Sequence, residues 1–484
     1  MNAIDAYRPG FHFSARRNWL NDPNGLVWFD GEYHLFYQHN PFGNEWGHMS
    51  WGHAVSADLV NWRELPFALA EDERASIYSG SVVVADGALA AVYTACLRRP
   101  EGGQVQDLAF SADRGRTWSR YAHNPVLDLG LRDFRDPKVF WHEPCARWVM
   151  VVVVPDARLA KFFASPDLKT WAWLSDFSAP FEGEGIWECP DLLPLPAPDG
   201  TTAWLLKVDV LGGHPSGGTG ARLFIGSFDG ARFVPEPEAA PRWADFGADF
   251  YAALSWNHLP SSPDALARPV WLAWMSCHRY ARLLPTSPWR GAMSVPRELS
   301  LRRDAAGGWQ LLQQPVAALQ TLRQSAIEPV DLELDDVEFE LLPSQMDGTL
   351  LEIELTIVPG DAGRCGLLLR AGQSHDHGHF TMLGIDRARR TLFIDRSRSG
   401  FVPAEDPLYA LRHEAPLPAA ERPLRLHVLL DRCSIEVFAN DGECVLTELI
   451  FPRPADRGLR LFAEGGSARF TGMKIWPLRA ARFD

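Results

Sequence analysis

The sequence predicts an all-β protein, a five-bladed β-propeller followed by a β-sandwich domain, and three observations carry that expectation. Marked motifs recur at a near-constant interval over the first part of the chain. A second motif repeats at a fixed place behind them. Strand patterning, without long amphipathic helical periodicity, fills the space between. The first series comprises Asp22 in Asn18-Trp19-Leu20-Asn21-Asp22-Pro23-Asn24-Gly25, Ser79 in Tyr78-Ser79-Gly80-Ser81, Asp136 in Arg135-Asp136-Pro137, Glu188 in Trp187-Glu188-Cys189-Pro190-Asp191, and Asp245 at the head of the run to Tyr251. Its steps are 57, 57, 52 and 57 residues. A period of that size marks stacked supersecondary units. Four strands fit each step, the content of a propeller blade, and radial blades bring corresponding positions together around one axis.

Each element follows from local chemistry. Asp30-Gly31 and Asp86-Gly87 sit between apolar, aromatic-rich runs and read as two-residue hairpin turns. Residues 148–154 form a β-branched run, and 203–210, 222–227 and 270–275 continue the pattern. The second series is Ser56-Ala57-Asp58 with Trp62, Ser111-Ala112-Asp113 with Trp118, Ser165-Pro166-Asp167 with Trp171, and more loosely Ser227-Phe228-Asp229 with Phe233. Its serines are 55, 54 and 62 residues apart. These boxes read as structural turns with a packed aromatic. The beat stops after Pro296-Arg297-Glu298-Leu299, so the propeller is expected over 1–305, with a linker carrying a short helix over 306–329. Strands without that period return over 330–484, at 350–358, 365–370, 391–395, 424–431 and 434–438, which suggests the sandwich. His375, His377 and His379 alternate there but lie in a Gly- and Asp-containing stretch that reads as an exposed loop, and no metal site is expected.

Composition narrows the function. At 484 residues the chain can bury two cores. The net charge of −14 disfavours nucleic acid and anionic membrane as partners. No apolar run approaches the ~20 residues of a membrane span. Seven scattered cysteines, with no CxxC pair and no secretory pattern at the N-terminus, point to a cytoplasmic home.

The first series carries the chemistry. Proline pushes the residue before it towards extended geometry, so Asp22 and Asp136 are held extended where a strand can begin. Each motif alone could be a turn; three carboxylates in phase point to a shared pocket. Two carboxyl groups facing across a sugar suit glycoside hydrolysis, one ionised to attack the anomeric carbon and one protonated to release the leaving oxygen. Arg135 is expected to keep Asp136 charged, and Trp187 to offer an apolar wall that keeps Glu188 protonated. Tryptophans 19, 46, 51 and 187 offer flat faces for sugar C–H groups, while Asn21, Gln38 and Ser79 can bond hydroxyls.

Together these motifs closely resemble glycoside hydrolase family 32, the β-fructosidases. The likeness extends through residues 46–53, 285–291, 296–299 and, in the tail, 437–442. It implies the same two-domain architecture, with Asp22 as nucleophile, Glu188 as acid/base and Asp136 as stabiliser of the transition state. Asn21, Gln38, Trp46, Ser79, Arg135 and Trp274 become candidate substrate contacts. The implied activity is retaining exo-β-fructosidase hydrolysis of sucrose, fructo-oligosaccharides, inulin or levan, without metal or organic cofactor. Retention calls for a nucleophile-to-acid gap of ~5–5.5 Å. Cys277-His278 stands where many relatives carry Asn-Trp, which singles out the pocket rim. A transfructosylase with the same triad, a fructan-binding lectin and an inverting propeller hydrolase are the alternatives. The sandwich could bind fructan, support the propeller or join subunits into a homo-oligomer.

Overall fold

The computed structural model describes residues 6–180, 185–197, 199–237, 240–260, 268–304, 307–342, 347–372, 378–417 and 419–484. Five sheets form a propeller, each a run of antiparallel strands taken in chain order, with one short parallel pairing added to the first. Their innermost strands are Asn18–Phe29, Ala75–Ala85, Arg135–His142, Trp187–Pro196 and Tyr251–Ser255. Asp30-Gly31 and Asp86-Gly87 turn the first hairpins of blades one and two with positive φ at both residues, the geometry that matches strand twist. The serine–aspartate boxes join the third and fourth strands of a blade. In blade one, Ser56 Oγ accepts from the Leu59 amide (2.8 Å) and Asp58 Oδ1 from those of Val60 and Asn61 (2.9 and 2.8 Å). Trp118 and Trp171 close later boxes by donating to the carbonyls of Gly115 and Leu168.

Between blades the core is continuous, because each sheet is apolar on both faces. Val82, Tyr93 and Ala109 of blade two meet Phe36 and Trp51 of blade one, and Val83, Val92 and Leu108 meet Val139, Met150 and Phe163 of blade three. Blade five closes the ring. An excursion between its second strand, Val270–Trp274, and its third, Arg297–Arg303, carries the short strand Trp289–Arg290, which pairs in parallel with Asn18 and Trp19. This excursion ends the sequence period early. The expected propeller boundary at 305 therefore falls short: Trp309–Pro315 is the outer strand of blade five. Among the described residues of the expected linker 306–329, only Ala317–Leu322 is helical, as a 3-10 helix.

The second domain is a sandwich of two six-stranded antiparallel sheets. Its core is almost wholly aliphatic, from Leu351, Ile353 and Leu355 to Leu459, Leu461 and Ile475. His375 and His377 lie outside the described residues. The domains are joined by buried ions. Arg297 reaches Asp245 (3.1 Å) of the propeller and Glu436 (2.5 Å) of the sandwich, and Arg396 reaches Asp249 (2.6 Å) and Glu448 (2.8 Å). Asp245, in phase with the pocket motifs by sequence, thus belongs to the domain junction. Among the described residues, no helix is long and apolar enough to cross a membrane.

Candidate active site

All five innermost strands break register near their start. Residues 21–22 of the first strand oppose one residue of its neighbour, and the same two-to-one mismatch falls at 78–79, 136–137, 189–190 and 252–253. A bulge re-aims the side chains at its position. Asp136, Cys189 and Ala252 hold positive φ there (66°, 45° and 55°). Pro137 and Pro190 fall inside their bulges, where the missing N–H is not needed for the ladder, and Pro23 follows directly after its own. Repeated around the ring, the bulges turn Asp22, Ser79, Asp136, Glu188 and Tyr251 towards the axis.

The result is a cavity of about 240 Å³ lined by Asn21, Asp22, Gln38, Trp46, Tyr78, Ser79, Gln104, Asp133, Arg135, Asp136, Glu188 and His278. Asp22 accepts from Ser79 Oγ (2.6 Å) and from the Asn21 amide (2.9 Å), whose oxygen is fixed in turn by the Trp19 indole N–H (2.7 Å). Asp136 accepts the Cys189 backbone N–H (2.9 Å). The Cys189 thiol lies 3.4 Å from Asp22 Oδ2 and 3.7 Å from Asp136 Oδ2, so one sulfur touches both carboxylates. Arg135 forks onto Glu188 Oε1 (Nε 3.1 Å, terminal nitrogen 2.8 Å), and the Tyr251 hydroxyl donates to Glu188 Oε2.

This geometry corrects the expected charge assignments. Arg135 serves Glu188, and stands 3.9 Å from Asp136. Burial pushes Asp136 up to about 7; Arg135 opposes this, while the charges of Glu188 and Asp22 reinforce it. Burial also works to raise Glu188, but Arg135, His278 and the Tyr251 hydrogen bond outweigh it and hold the group below the usual carboxylate range. Trp187 is fully buried against Phe177 and Phe224 and makes no wall. Of these two carboxyls, Asp136 therefore has the higher affinity for a proton. Hydroxyls of a sugar donating to Asp136 favour its anion and release that proton to the cluster.

Of the expected contacts, Asn21, Gln38, Trp46, Ser79 and Arg135 line the cavity, with Trp46 54% exposed at its rim. Trp274 does not. It is completely buried, packed between Trp19 and His278. Trp19 and Trp51 are likewise buried. The sequence reading did not name Tyr78, Gln104, Asp133, Tyr251 or His278 as contacts, although Tyr78 and Tyr251 stand inside the marked motifs, Asp133 two residues before Arg135, and His278 in the pair set at the pocket rim. Away from the pocket, Glu352, Glu354 and His427 gather closely enough to suggest a cation site. The Arg323 guanidinium already bonds both carboxylates there (2.7 and 3.3 Å).

A propeller whose axis holds three carboxylates in a sugar-sized hollow defines a glycoside hydrolase. Comparison with known proteins makes the class specific: residues 12–315 match the glycosyl hydrolases family 32 N-terminal domain and 318–477 the family 32 C-terminal domain, and the chain belongs to that family. It is 42% identical to a levanase of Bacillus subtilis (strain 168), over 98% of this chain and 70% of that protein. It is 34% identical to an extracellular exo-inulinase of Aspergillus awamori, over 99% and 95%. The crystal structure of exo-inulinase from A. awamori superposes with a TM-score of 0.89 at 33% identity, covering 99% of this chain and 100% of that one. Fructan 1-exohydrolase IIa from Cichorium intybus gives 0.82 at 26%, covering 99% and 98%.

Proposed function

We propose that this enzyme is a retaining exo-β-fructosidase that releases terminal β-D-fructofuranosyl units from sucrose, fructo-oligosaccharides, inulin or levan. The observation that carries the reading is the convergence of Asp22, Asp136 and Glu188 on one hollow, with a thiol touching two of them and an arginine and a tyrosine holding the third.

Asp22, fixed by Ser79 and Asn21, attacks the fructosyl anomeric carbon. As that carbon parts from the glycosidic oxygen, Glu188, carrying the proton that Asp136 releases when sugar hydroxyls bond it, gives that proton to the oxygen, leaving a fructosyl ester on Asp22. Glu188, now a carboxylate, takes a proton from water, whose oxygen attacks the same carbon and displaces Asp22. Asp136 accepts sugar hydroxyls and stabilises positive charge developing on the ring. Arg135 and Tyr251 lower the affinity of Glu188 for its proton, which makes it a stronger acid.

Incubation with sucrose should give fructose and glucose in equal amounts, with the β-anomer of fructofuranose appearing first by NMR. Asp22→Ala and Glu188→Ala should each lower kcat by about 10³-fold or more. Normal turnover in either variant would remove its assigned role, and early α-anomer would exclude retention. We also place the enzyme in the cytoplasm, since all seven cysteines are unpaired. Activity recovered from the culture medium of intact cells would oppose that placement.

A further inference from the structure

His278 is set apart from the other polar side chains of the pocket. Asn21 is tied to Trp19 and Asp22, Gln38 to the Ile77 carbonyl (3.0 Å), Ser79 to Asp22 and Arg135 to Glu188. The His278 imidazole lines the same cavity, yet among the described residues its nitrogens make no hydrogen bond or ion pair. What holds it is ring packing: 4.8 Å from Trp274 and edge-on to Tyr251 at 5.1 Å and 89°. Its chain neighbours are anchored away from the pocket. Cys277 is buried, Arg279 forks onto Asp406 (3.2 and 3.1 Å), and the Tyr280 hydroxyl donates to Asp249 (2.7 Å). The loop is therefore fixed to both domains, while one ring, held by its packing on Trp274 and Tyr251, lines the cavity with no polar partner of its own among the described residues.

The side of the cavity is also defined. Tyr251, on which His278 packs, donates to Glu188, the group assigned to protonate the leaving oxygen. Asp22, Asn21 and Ser79 hold the opposite role, around the fructosyl carbon.

Resting on the exo-β-fructosidase reading, we propose that His278 binds the departing saccharide, its imidazole hydrogen-bonding a hydroxyl of the sugar beyond the glycosidic oxygen. The inner fructosyl unit is held by the tied residues, and the leaving unit by His278 at the rim near Trp46.

The test compares wild-type enzyme with His278→Phe, which keeps a ring against Trp274 and Tyr251 but removes both nitrogens, and with His278→Asn, which keeps a donor. The KM for sucrose should rise roughly five- to tenfold in His278→Phe, the loss of one hydrogen bond to a sugar, and less in His278→Asn. Inhibition by free fructose, which fills only the inner part of the pocket, should be unchanged. A wild-type KM in His278→Phe overturns the proposal. So does a parallel loss of fructose inhibition, because that reports a collapsed pocket and a purely structural ring. Failure of the wild-type enzyme to release fructose from any fructoside is a separate outcome, and it removes the activity reading itself.

Discussion

At the scale of single residues, the pocket stores electrostatic cost in Asp136. The carboxyl is buried beside Asp22 and Glu188, and burial with those two charges pushes it up to about 7 against Arg135 and the Cys189 N–H. The sign follows from the ordinary value of 3.8: a group raised on folding contributes stability that is present below about 3.8 and lost as pH rises through about 7. Asp136→Asn keeps an oxygen for the Cys189 amide and has no charge to bury. It should abolish turnover yet raise Tm by a few degrees at pH 8, with the gain vanishing below pH 4; calorimetry at the two pH values checks it. Arg135 makes a complementary case. Arg135→Met frees Glu188 from the fork that holds it ionised, so the basic limb of the kcat/KM profile should move to higher pH while kcat falls. A limb that stays in place would show that Glu188 is not the titrating acid. The identities of these residues were legible because Asp-Pro and Glu-Cys-Pro are local signals. Their charge assignments were not, because Arg135 adjoins Asp136 in sequence but the strand pleat points it at Glu188 across the blade gap.

At the scale of elements, the site is a property of five matching bulges. Sequence spacing gave their phase in four blades. In the fifth it pointed to Asp245, whereas the register break falls at 252–253 and the side chain delivered to the axis is Tyr251. No carboxylate or proline marks that bulge, and a period that varies by several residues cannot locate it. Trp274 was read by residue type as a sugar contact, but it pairs with Tyr251 at the end of its strand and its indole is packed inside the ring of blades. His278, just beyond the strand end, takes the pocket position. The second bulge offers a direct test. A Cβ on Gly80 would stand 2.3 Å from the Val92 carbonyl oxygen and 2.6 Å from Tyr93 Cα, both backbone atoms of the paired strand. Gly80→Ala must push the strand away and carry Ser79 with it. We expect a loss of roughly 1–3 kcal/mol in stability and about a tenfold fall in kcat/KM as the Ser79–Asp22 bond is broken. Denaturant unfolding and steady-state kinetics on one preparation separate the two effects. Unchanged kinetics would mean that Ser79 does not position Asp22.

At the scale of the whole molecule, the two domains share ions that neither could bury alone. His12 precedes blade one, and its ring bridges Asp431 (2.7 Å) and Glu436 (2.8 Å) of the sandwich; Glu436 passes on to Arg297 and thence to Asp245. None of this was visible in the sequence, since His12 lies over 400 residues from its partners, Arg297 lies 139 and 52 residues from its own, and no pattern links them. Burial opposes a charge on His12, but hydrogen bonds and charges from both carboxylates outweigh it and raise the ring to about 9. The ordinary value is 6.5, so the pair contributes stability that is fully present below pH 6.5 and lost as pH rises through 9. The shift corresponds to about 3 kcal/mol. Asp136 and Asp209, the latter raised by burial to about 8, lose stability in the same direction over part of that window. A wild-type curve alone therefore cannot assign the loss, and the difference between wild type and His12→Gln does. Glutamine at 12 can still donate to one carboxylate but does not titrate. The variant should be several kcal/mol less stable at pH 6, because two buried carboxylates lose their cation. The gap should narrow steadily towards pH 10, as wild-type His12 loses its proton and becomes equally neutral. A gap that stays constant from pH 6 to 10 would show that His12 is neutral in the folded protein and that the domain junction is held by Arg297 and Arg396 alone.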